Sequence, residues 1–115
     1  MRLAKNYQVK EYITGRGVNP YRRWLKSLND PSVRARIQAR ILRLESGNFG
    51  DYKPIGKNIN ELRLDFGSGY RIYFAVEGDT LVLLLLGGDK STQKSDIIKA
   101  KAFWQDYWRS KHEKK

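Results

Sequence analysis

The sequence contains no cysteine and a single histidine among its 115 residues. Disulfide bonds, thiolate nucleophiles and sulfur-ligated metals are therefore excluded. The histidine, His112, lies in a lysine-rich carboxy-terminal segment, so most zinc sites and most histidine-centred acid–base mechanisms are excluded as well. Any chemistry must use lysine, arginine, tyrosine, aspartate or glutamate, and we expect neither a metal nor a cofactor.

Long apolar segments are also missing. The apolar run LVLLLL at residues 81–86 is far too short to span a bilayer. The amino-terminal sequence MRLAKNYQVKEY lacks the apolar core of a signal peptide. We therefore expect a cytoplasmic protein that makes no membrane contact.

Negative charge is scarce relative to positive charge. The chain has 23 lysine and arginine residues against 12 aspartate and glutamate residues, which gives a formal net charge of +11 and a pI near 10.0. Such an excess favours polyanionic partners, because cations that neutralise phosphates release counterions. Solubility is another use of surface charge, so the charge indicates a class of partner without identifying it.

The order of the sequence patterns predicts one α+β domain over residues 1–115. We expect an edge strand at residues 6–13, where apolar and polar side chains alternate. Two helices should follow as a hairpin, starting at Pro20 and Pro31, because each proline stands directly behind an asparagine or aspartate that can cap a helix.

The second half of the chain reads as a sheet followed by a helix. A loop-rich stretch at residues 47–57 has room for at most a short strand. The last strand of the following antiparallel meander, at residues 81–86, is apolar throughout, which predicts the centre of the sheet. A helix should begin near Thr92, and we expect the charged tail at about residues 110–115 to fray.

The segment ELRLDFGSGYRIYFAVE at residues 61–77 alternates as a β-hairpin does. A turn at residues 67–69 would place Asp65 opposite Arg71 as an ion pair and would put Arg63 on the same face of the sheet. Two arginines on one face of a rigid sheet indicate a site for phosphate. The same face should carry Glu61, Tyr73 and Ala75, and the apolar face should carry Leu62, Leu64, Phe66, Tyr70, Ile72 and Phe74.

A stripe of three arginines runs along the second predicted helix beside its apolar arc, at spacings of four and three: Arg36, Arg40 and Arg43. Such a stripe is typical of a solvated helix face, and also of a surface that supports binding to nucleic acid or to the ribosome. The sequence leaves both interpretations open.

Three short motifs resemble the RelE/ParE toxin superfamily, and its HigB-like branch in particular: ELR at residues 61–63, GYRIY at 69–73 and GGDK at 87–90. Gln93 adds to the likeness. The resemblance implies a RelE-like fold and a type II toxin, which a co-encoded antitoxin with a helix-turn-helix neutralises. Many members cut mRNA on the ribosome.

The resemblance leaves other activities open. ParE members poison DNA gyrase, for which Trp104, Tyr107 and Trp108 of the last predicted helix would supply an interface. A chain that only binds its antitoxin is the third alternative.

The resemblance also assigns residues. Arg63, Arg71 and Lys90 match catalytic positions, where cations stabilise the charge that gathers on phosphate when the ribose 2′-hydroxyl attacks. Glu61 and Asp96 stand where the best-known cleaving members have a lysine and a tyrosine. The general base has three nearby candidates, Lys53, Lys57 and Glu61. The residues predicted to bind RNA are Lys53, Lys57, Tyr73, Gln93, Arg36, Arg40 and Arg43.

Overall fold

The computed structural model describes residues 6–113, which form a five-stranded sheet with helices on both faces. The strands lie in the order β1-β5-β4-β3-β2; β1 is parallel to β5 and the other neighbours are antiparallel. The predicted α+β class and order of elements are confirmed. The elements are β1 (Gln8–Glu11), α1 (Pro20–Ser27), α2 (Pro31–Glu45), β2 (Tyr52–Gly56), β3 (Ile59–Arg63), β4 (Arg71–Glu77), β5 (Leu81–Gly88), a 3₁₀ turn (Lys90–Thr92) and α3 (Gln93–Glu113).

Both helices of the amino-terminal hairpin begin as predicted, with proline behind a capping side chain. Asn19 Oδ1 accepts a hydrogen bond of 2.9 Å from the backbone N–H of Arg22, and Asp30 Oδ1 accepts one of 2.9 Å from the backbone N–H of Ser32. Each cap satisfies a donor that the first turn leaves without an intrahelical partner.

The sheet buries one apolar cluster on each face. The hairpin face that the sequence predicts to be basic carries Arg63 and Arg71 at one end, whereas Tyr73 and Ala75 of the same face are buried under α3. Because a fully buried aliphatic or aromatic side chain contributes about 1.5 to 3 kcal/mol, both clusters hold the fold. The first packs Leu62, Leu64, Ile72, Phe74, Val82 and Leu84 against Tyr21, Leu25, Ile37 and Leu44 of α1 and α2. The second packs Ile59, Tyr73, Ala75, Leu83 and Leu85 against Ala100, Phe103, Trp104 and Tyr107 of α3.

β5 lies one place away from the predicted centre of the sheet, which β4 occupies. β5 is apolar throughout because α1 covers one face and α3 the other. Two glycines at its end allow this close cover. A Cβ on Gly87 would lie 2.0 Å from Cε3 of Trp24, and a Cβ on Gly88 would lie 1.9 Å from Oδ2 of Asp96.

The carboxy-terminal helix is longer than predicted. α3 continues to Glu113, so the expectation of a frayed tail is wrong for residues 110–113, and residues 114–115 lie outside the described part. Lys111 Nζ donates a hydrogen bond of 2.6 Å to Glu77 Oε2, which fastens the last turns of α3 to β4. No helix in the described part of the chain combines the length and the apolar character of a membrane span.

Candidate phosphate-binding site

Arg63 and Arg71 stand directly opposite each other on β3 and β4. The predicted register, with Asp65 opposite Arg71, is therefore wrong by two residues. The loop is longer than predicted, and both Gly67 (φ 65°) and Gly69 (φ 79°) adopt the left-handed conformation within it. A slip of two residues leaves every side chain on its own face, so both arginines remain where the sequence predicts them.

Glu61 is the counter-ion of both arginines. Its side chain is 1% exposed. Oε1 accepts a hydrogen bond of 3.2 Å from Arg63 Nε, and Oε2 lies 3.8 Å from Arg71 Nε. Gln93 Nε2 donates to Oε2 at 2.6 Å, and the Tyr73 hydroxyl donates to it at 3.5 Å. Three hydrogen bonds and the nearby charge of Arg71 therefore surround one buried carboxylate, which the sequence makes a candidate base.

Arg71 is held less completely than its burial suggests. Its side chain is 14% exposed. Nη1 donates to the backbone carbonyl of Gly69 at 3.3 Å, but the buried Nε has no hydrogen-bond acceptor within residues 6–113. Buried donors normally have partners, and a phosphate oxygen is a strong acceptor for a guanidinium. The arrangement therefore suits an anion at Arg71.

Lys90 lies next to this pair. A Cβ on Gly69 would lie 3.4 Å from Cβ of Lys90 and 3.7 Å from Nη1 of Arg71. Lys90 is exposed in the 3₁₀ turn, where Asp89 Oδ1 accepts a hydrogen bond of 2.9 Å from the backbone N–H of Ser91. The three residues that the resemblance assigns to catalysis are thus brought to one end of the sheet.

Two of the predicted RNA-binding residues join this end. Lys53 on β2 is directly opposite Glu61 on β3 and is exposed, and paired residues of antiparallel strands share a face. Gln93, at the start of α3, reaches the site through its hydrogen bond to Glu61.

Neither Tyr73 nor Lys57 is available to RNA at this end. The Tyr73 hydroxyl reaches Glu61, but the side chain is fully buried, so the prediction that Tyr73 binds RNA is wrong. Burial raises the pKa of Tyr73, and the negative charge of Glu61 raises it further, so the hydroxyl keeps its proton. Lys57 lies in the turn between β2 and β3, against Lys101 and Trp104 of α3. The two strands therefore separate it from the arginine end.

The arginine stripe of α2 borders the site from the other face of the sheet. Together with Arg63 the stripe lines a cavity of about 480 Å³. The Arg36 guanidinium lies 3.9 Å from the ring centre of Phe66. Burial lowers the pKa of Arg40, and its Nη1 has no hydrogen-bond partner in the described part of the chain. The simple picture of a solvated helix face therefore does not hold for Arg40.

Asp96 is the residue that the resemblance matches to a tyrosine of cleaving members. Its carboxylate is buried against Gly88 and accepts a hydrogen bond from the Thr92 hydroxyl. The residue supports the junction between β5 and α3 and offers no ring to a base.

Comparison with solved structures agrees with this architecture. A free-state structure of the E. coli toxin RelE, with two arginines mutated to alanine, matches with a TM-score of 0.61 and 16% sequence identity, over 84% of this chain and 96% of that chain. The predicted RelE-like fold is thereby confirmed.

The sequence itself gives a narrower assignment. Residues 23–102 match the family described as phage-derived protein Gp49-like, and the chain belongs to this family. A protein of Haemophilus influenzae described as uncharacterized is 51% identical over 83 residues, which cover 72% of this chain and 84% of that protein.

Proposed function

We propose that the chain is the toxin of a type II toxin–antitoxin pair, a HigB-like member of the RelE superfamily that cuts mRNA on the cytoplasmic ribosome. The observation that carries the proposal is the meeting of Arg63 and Arg71 across β3 and β4, with Lys90 beside them. Three cations around one position of a RelE-like sheet match the need of phosphodiester cleavage for preorganised donors.

In the proposed reaction the ribose 2′-oxygen attacks the adjacent phosphorus and the bond from phosphorus to the 5′-oxygen breaks. The products are a 2′,3′-cyclic phosphate and a 5′-hydroxyl. Arg71 donates to the nonbridging oxygens as their charge grows. Arg63, which is 37% exposed, orients the neighbouring backbone. Lys90 contacts the leaving 5′-oxygen and supplies its proton.

The 2′-hydroxyl proton needs an acceptor. Of the three candidates, Lys57 lies at the opposite end of the strands and Glu61 is surrounded by donors. Lys53, exposed and opposite Glu61, is the candidate that remains, and it takes the proton in the form of its neutral amine.

Mapping of RNA ends tests the proposal. The purified chain is added to a translation reaction, and new 5′ ends are located by primer extension. We expect ends inside translated codons that disappear when ribosomes are omitted. Removing one donor to a growing oxyanion costs about 100-fold or more in rate, so Arg71→Ala and Lys90→Ala should cut at least that much more slowly. Lys26→Ala, an exposed change on α1, is the matched control and should cut as wild type.

Three outcomes, each with its own readout, decide against the proposal. If Arg71→Ala and Lys90→Ala cut as well as wild type, the proposed site is wrong. Accumulation of cleaved gyrase–DNA complexes without mRNA ends would identify a gyrase poison, and harmless induction would identify a simple antitoxin-binding module. Two of the three aromatic residues suggested for a gyrase interface offer little exposed surface. Trp104 and Tyr107 stack on each other, with ring centres 5.6 Å apart, and both are half-buried against the sheet.

The proposed antitoxin has a suitable place between α1 and α3. A groove of about 1140 Å³ there has Trp24, Leu28 and Phe103 among its apolar walls. Its floor is the end of β5, where pairing with β1 stops at Leu84 and no other described strand covers the edge. An extended segment can therefore add its own backbone hydrogen bonds.

The charges around this groove favour an acidic segment. Arg16, Arg23 and Lys99 line it, and none of them forms an ion pair with another described residue. Three carboxylates line it as well, but each already accepts a side-chain hydrogen bond: Asp89 from Ser91, Asp96 from Thr92 and Asp106 from Tyr12. Reversing Arg23 and Lys99 to glutamate should weaken copurification of the neighbouring gene product. Reversing Lys26, which lies outside the groove, should not. Equal retention by both variants would remove the groove from the antitoxin interface.

A further inference from the structure

A second group of cations and aromatic rings lies far from the arginines on the same side of the sheet. α3 packs over β4 and β5 and leaves β2 and β3 more open on this face. Gln93 marks the end of α3 at the candidate site, and Trp108 lies 15 residues further along the helix. At 1.5 Å per residue the two positions are about 22 Å apart.

This group, the Trp108 patch, lines two adjoining cavities of about 440 and 420 Å³. Neither lining contains a carboxylate. Within residues 6–112, none of the patch's lysines and arginines forms an ion pair. The patch consists of Lys57 from the turn between β2 and β3, and of Lys101, Trp104, Trp108, Arg109 and His112 from α3.

Contacts fix the patch in place while leaving one ring available. Lys101 packs over the turn, since a Cβ on Gly56 would lie 3.5 Å from its Cε and 4.0 Å from its Nζ. The Trp108 ring lies 5.7 Å from Trp104 and 3.8 Å from His112, measured between ring centres. Trp108 nevertheless remains 43% exposed. Proteins that bind single-stranded nucleic acids stack bases on exposed aromatic rings and hold the backbone with neighbouring cations. The Trp108 patch combines such a ring with cations that form no ion pair within residues 6–112.

We propose that the Trp108 patch is a second RNA subsite, which stacks a base and holds backbone phosphates several nucleotides away from the phosphate at Arg71. The inference rests on the proposed function, because it assigns both sites to one RNA strand. An acidic protein segment would also meet the cations, but it has no planar base for the exposed indole. The patch therefore gives a role to Lys57 away from the arginines: Lys57 binds the RNA strand and takes no part in the reaction.

Binding of an uncleavable RNA tests the patch separately from cleavage. A 2′-O-methyl oligonucleotide lacks the attacking hydroxyl, so its dissociation constant can be measured by fluorescence anisotropy with the full chain. Loss of one stacked base by alanine substitution weakens binding about 5- to 150-fold, which we expect for Trp108→Ala. Trp108→Phe, which keeps a ring, should restore most of the affinity. Ile98→Ala, at a side chain 70% exposed on α3, is the control and should bind as wild type.

The salt dependence tests the cations. Each phosphate contact to a single strand contributes about 0.7 to the slope of log K against log salt. Lys101→Ala should lower the slope by about that amount, whereas Lys26→Ala, at an exposed side chain on α1, should leave it unchanged. In the ribosomal assay Trp108→Ala should raise the RNA concentration for half-maximal cutting and leave the maximal rate unchanged.

Two results would overturn the patch: wild-type affinity of Trp108→Ala and Lys101→Ala for the oligonucleotide, or equal loss of affinity in the Ile98→Ala and Lys26→Ala controls. Polyglutamate that binds wild type as tightly as RNA does, and loses affinity equally in Trp108→Ala, would assign the patch to a protein partner instead. If the chain binds RNA through Trp108 but cuts no mRNA, the proposed function fails and the patch remains.

Discussion

Replacement of Glu61 by glutamine should lower stability and raise affinity for RNA at the same time. The carboxylate is 1% exposed and forms ion pairs with both Arg63 and Arg71, which are 37% and 14% exposed. Removing one partner of a fully buried ion pair costs about 3 to 5 kcal/mol. Partial exposure of the arginines reduces that figure, and glutamine keeps one carbonyl acceptor, so we expect a loss of about 2 kcal/mol. Like charges directly opposite on neighbouring strands, as Arg63 and Arg71 are, add to the loss.

Urea denaturation measures this loss directly. With a slope of about 1 to 3 kcal/mol per molar urea, the midpoint should fall by about 1 M while the slope stays constant. Asp65→Asn is the matched control, because Asp65 is an exposed carboxylate two residues from Arg63 that forms an ion pair with neither arginine. Its free energy of unfolding should change by less than about 0.5 kcal/mol.

The effect on binding has the opposite sign. Without the carboxylate, the interaction of phosphate with the site gains about 1 kcal/mol, roughly fivefold in affinity for the 2′-O-methyl oligonucleotide. If Glu61→Gln unfolds at the wild-type midpoint, or if Asp65→Asn costs as much, the arginines do not depend on Glu61 and the reasoning is refuted. A fall in RNA affinity would refute the electrostatic part alone.

Three further outcomes can be measured on the same preparations. Gly87→Ala should cost about 1 to 3 kcal/mol of unfolding free energy, because its methyl group would overlap the indole of α1; Gly15→Ala, with open space around it, should cost little, and equal losses would contradict this account. The hydrogen bond from Lys111 lowers the pKa of Glu77 from its ordinary value of 4.5, so the stabilisation that Glu77 provides is present above about that pH and is lost as pH falls through the lowered pKa. The difference in urea midpoint between wild type and Glu77→Gln should therefore vanish in acid, and a constant difference would disprove the pair. Tyr73→Phe removes one long hydrogen bond, should cost at most about 1 kcal/mol and should bind RNA as wild type; weaker binding would show that the hydroxyl takes part in RNA binding.

The sequence predicts the helices of this fold well because their signals are local. Capping at Asn19 and Asp30 depends on side chains a few residues apart, and both caps form as the spacing predicts. The position of β5 depends on tertiary contacts. An apolar strand indicates that both of its faces are covered, but it does not indicate the place of the strand in the sheet order. The length of α3 is also tertiary, since its charged last turns are held by Glu77 on a distant strand.

The sequence predicts those features of the site that follow from the alternation of side chains between the two faces of a strand. Arg63 and Arg71 share a face under either register, so the sequence places both correctly. The two arginines lie directly opposite each other because Gly67 and Gly69 adopt left-handed conformations in the loop. Glycine can adopt this conformation but does not have to, so the sequence alone does not fix the register. The role of Glu61 depends on Gln93, 32 residues away. Because Glu61 lies two positions before Arg63, the sequence predicts that both side chains share a face of the sheet. It does not predict that Glu61 is buried where Gln93 of α3 meets it.

The local charge balance suits a reaction in which negative charge increases. Arg63, Arg71 and Lys90 with Glu61 give the candidate site a formal charge of +2. A phosphodiester brings one negative charge, and its transition state gathers a second one, so full neutralisation is reached only during the proposed reaction. Without Glu61, repulsion of the doubly charged transition state would fall more than repulsion of the singly charged phosphodiester, which by itself would raise kcat. The same change releases the two arginines that Glu61 holds in position, and this loss of preorganisation lowers kcat. Glu61→Gln should therefore gain affinity for RNA and show no gain in the maximal rate of cleavage. A rise in that maximal rate would mean that the carboxylate opposes the reaction, and that its part in holding the two arginines is secondary.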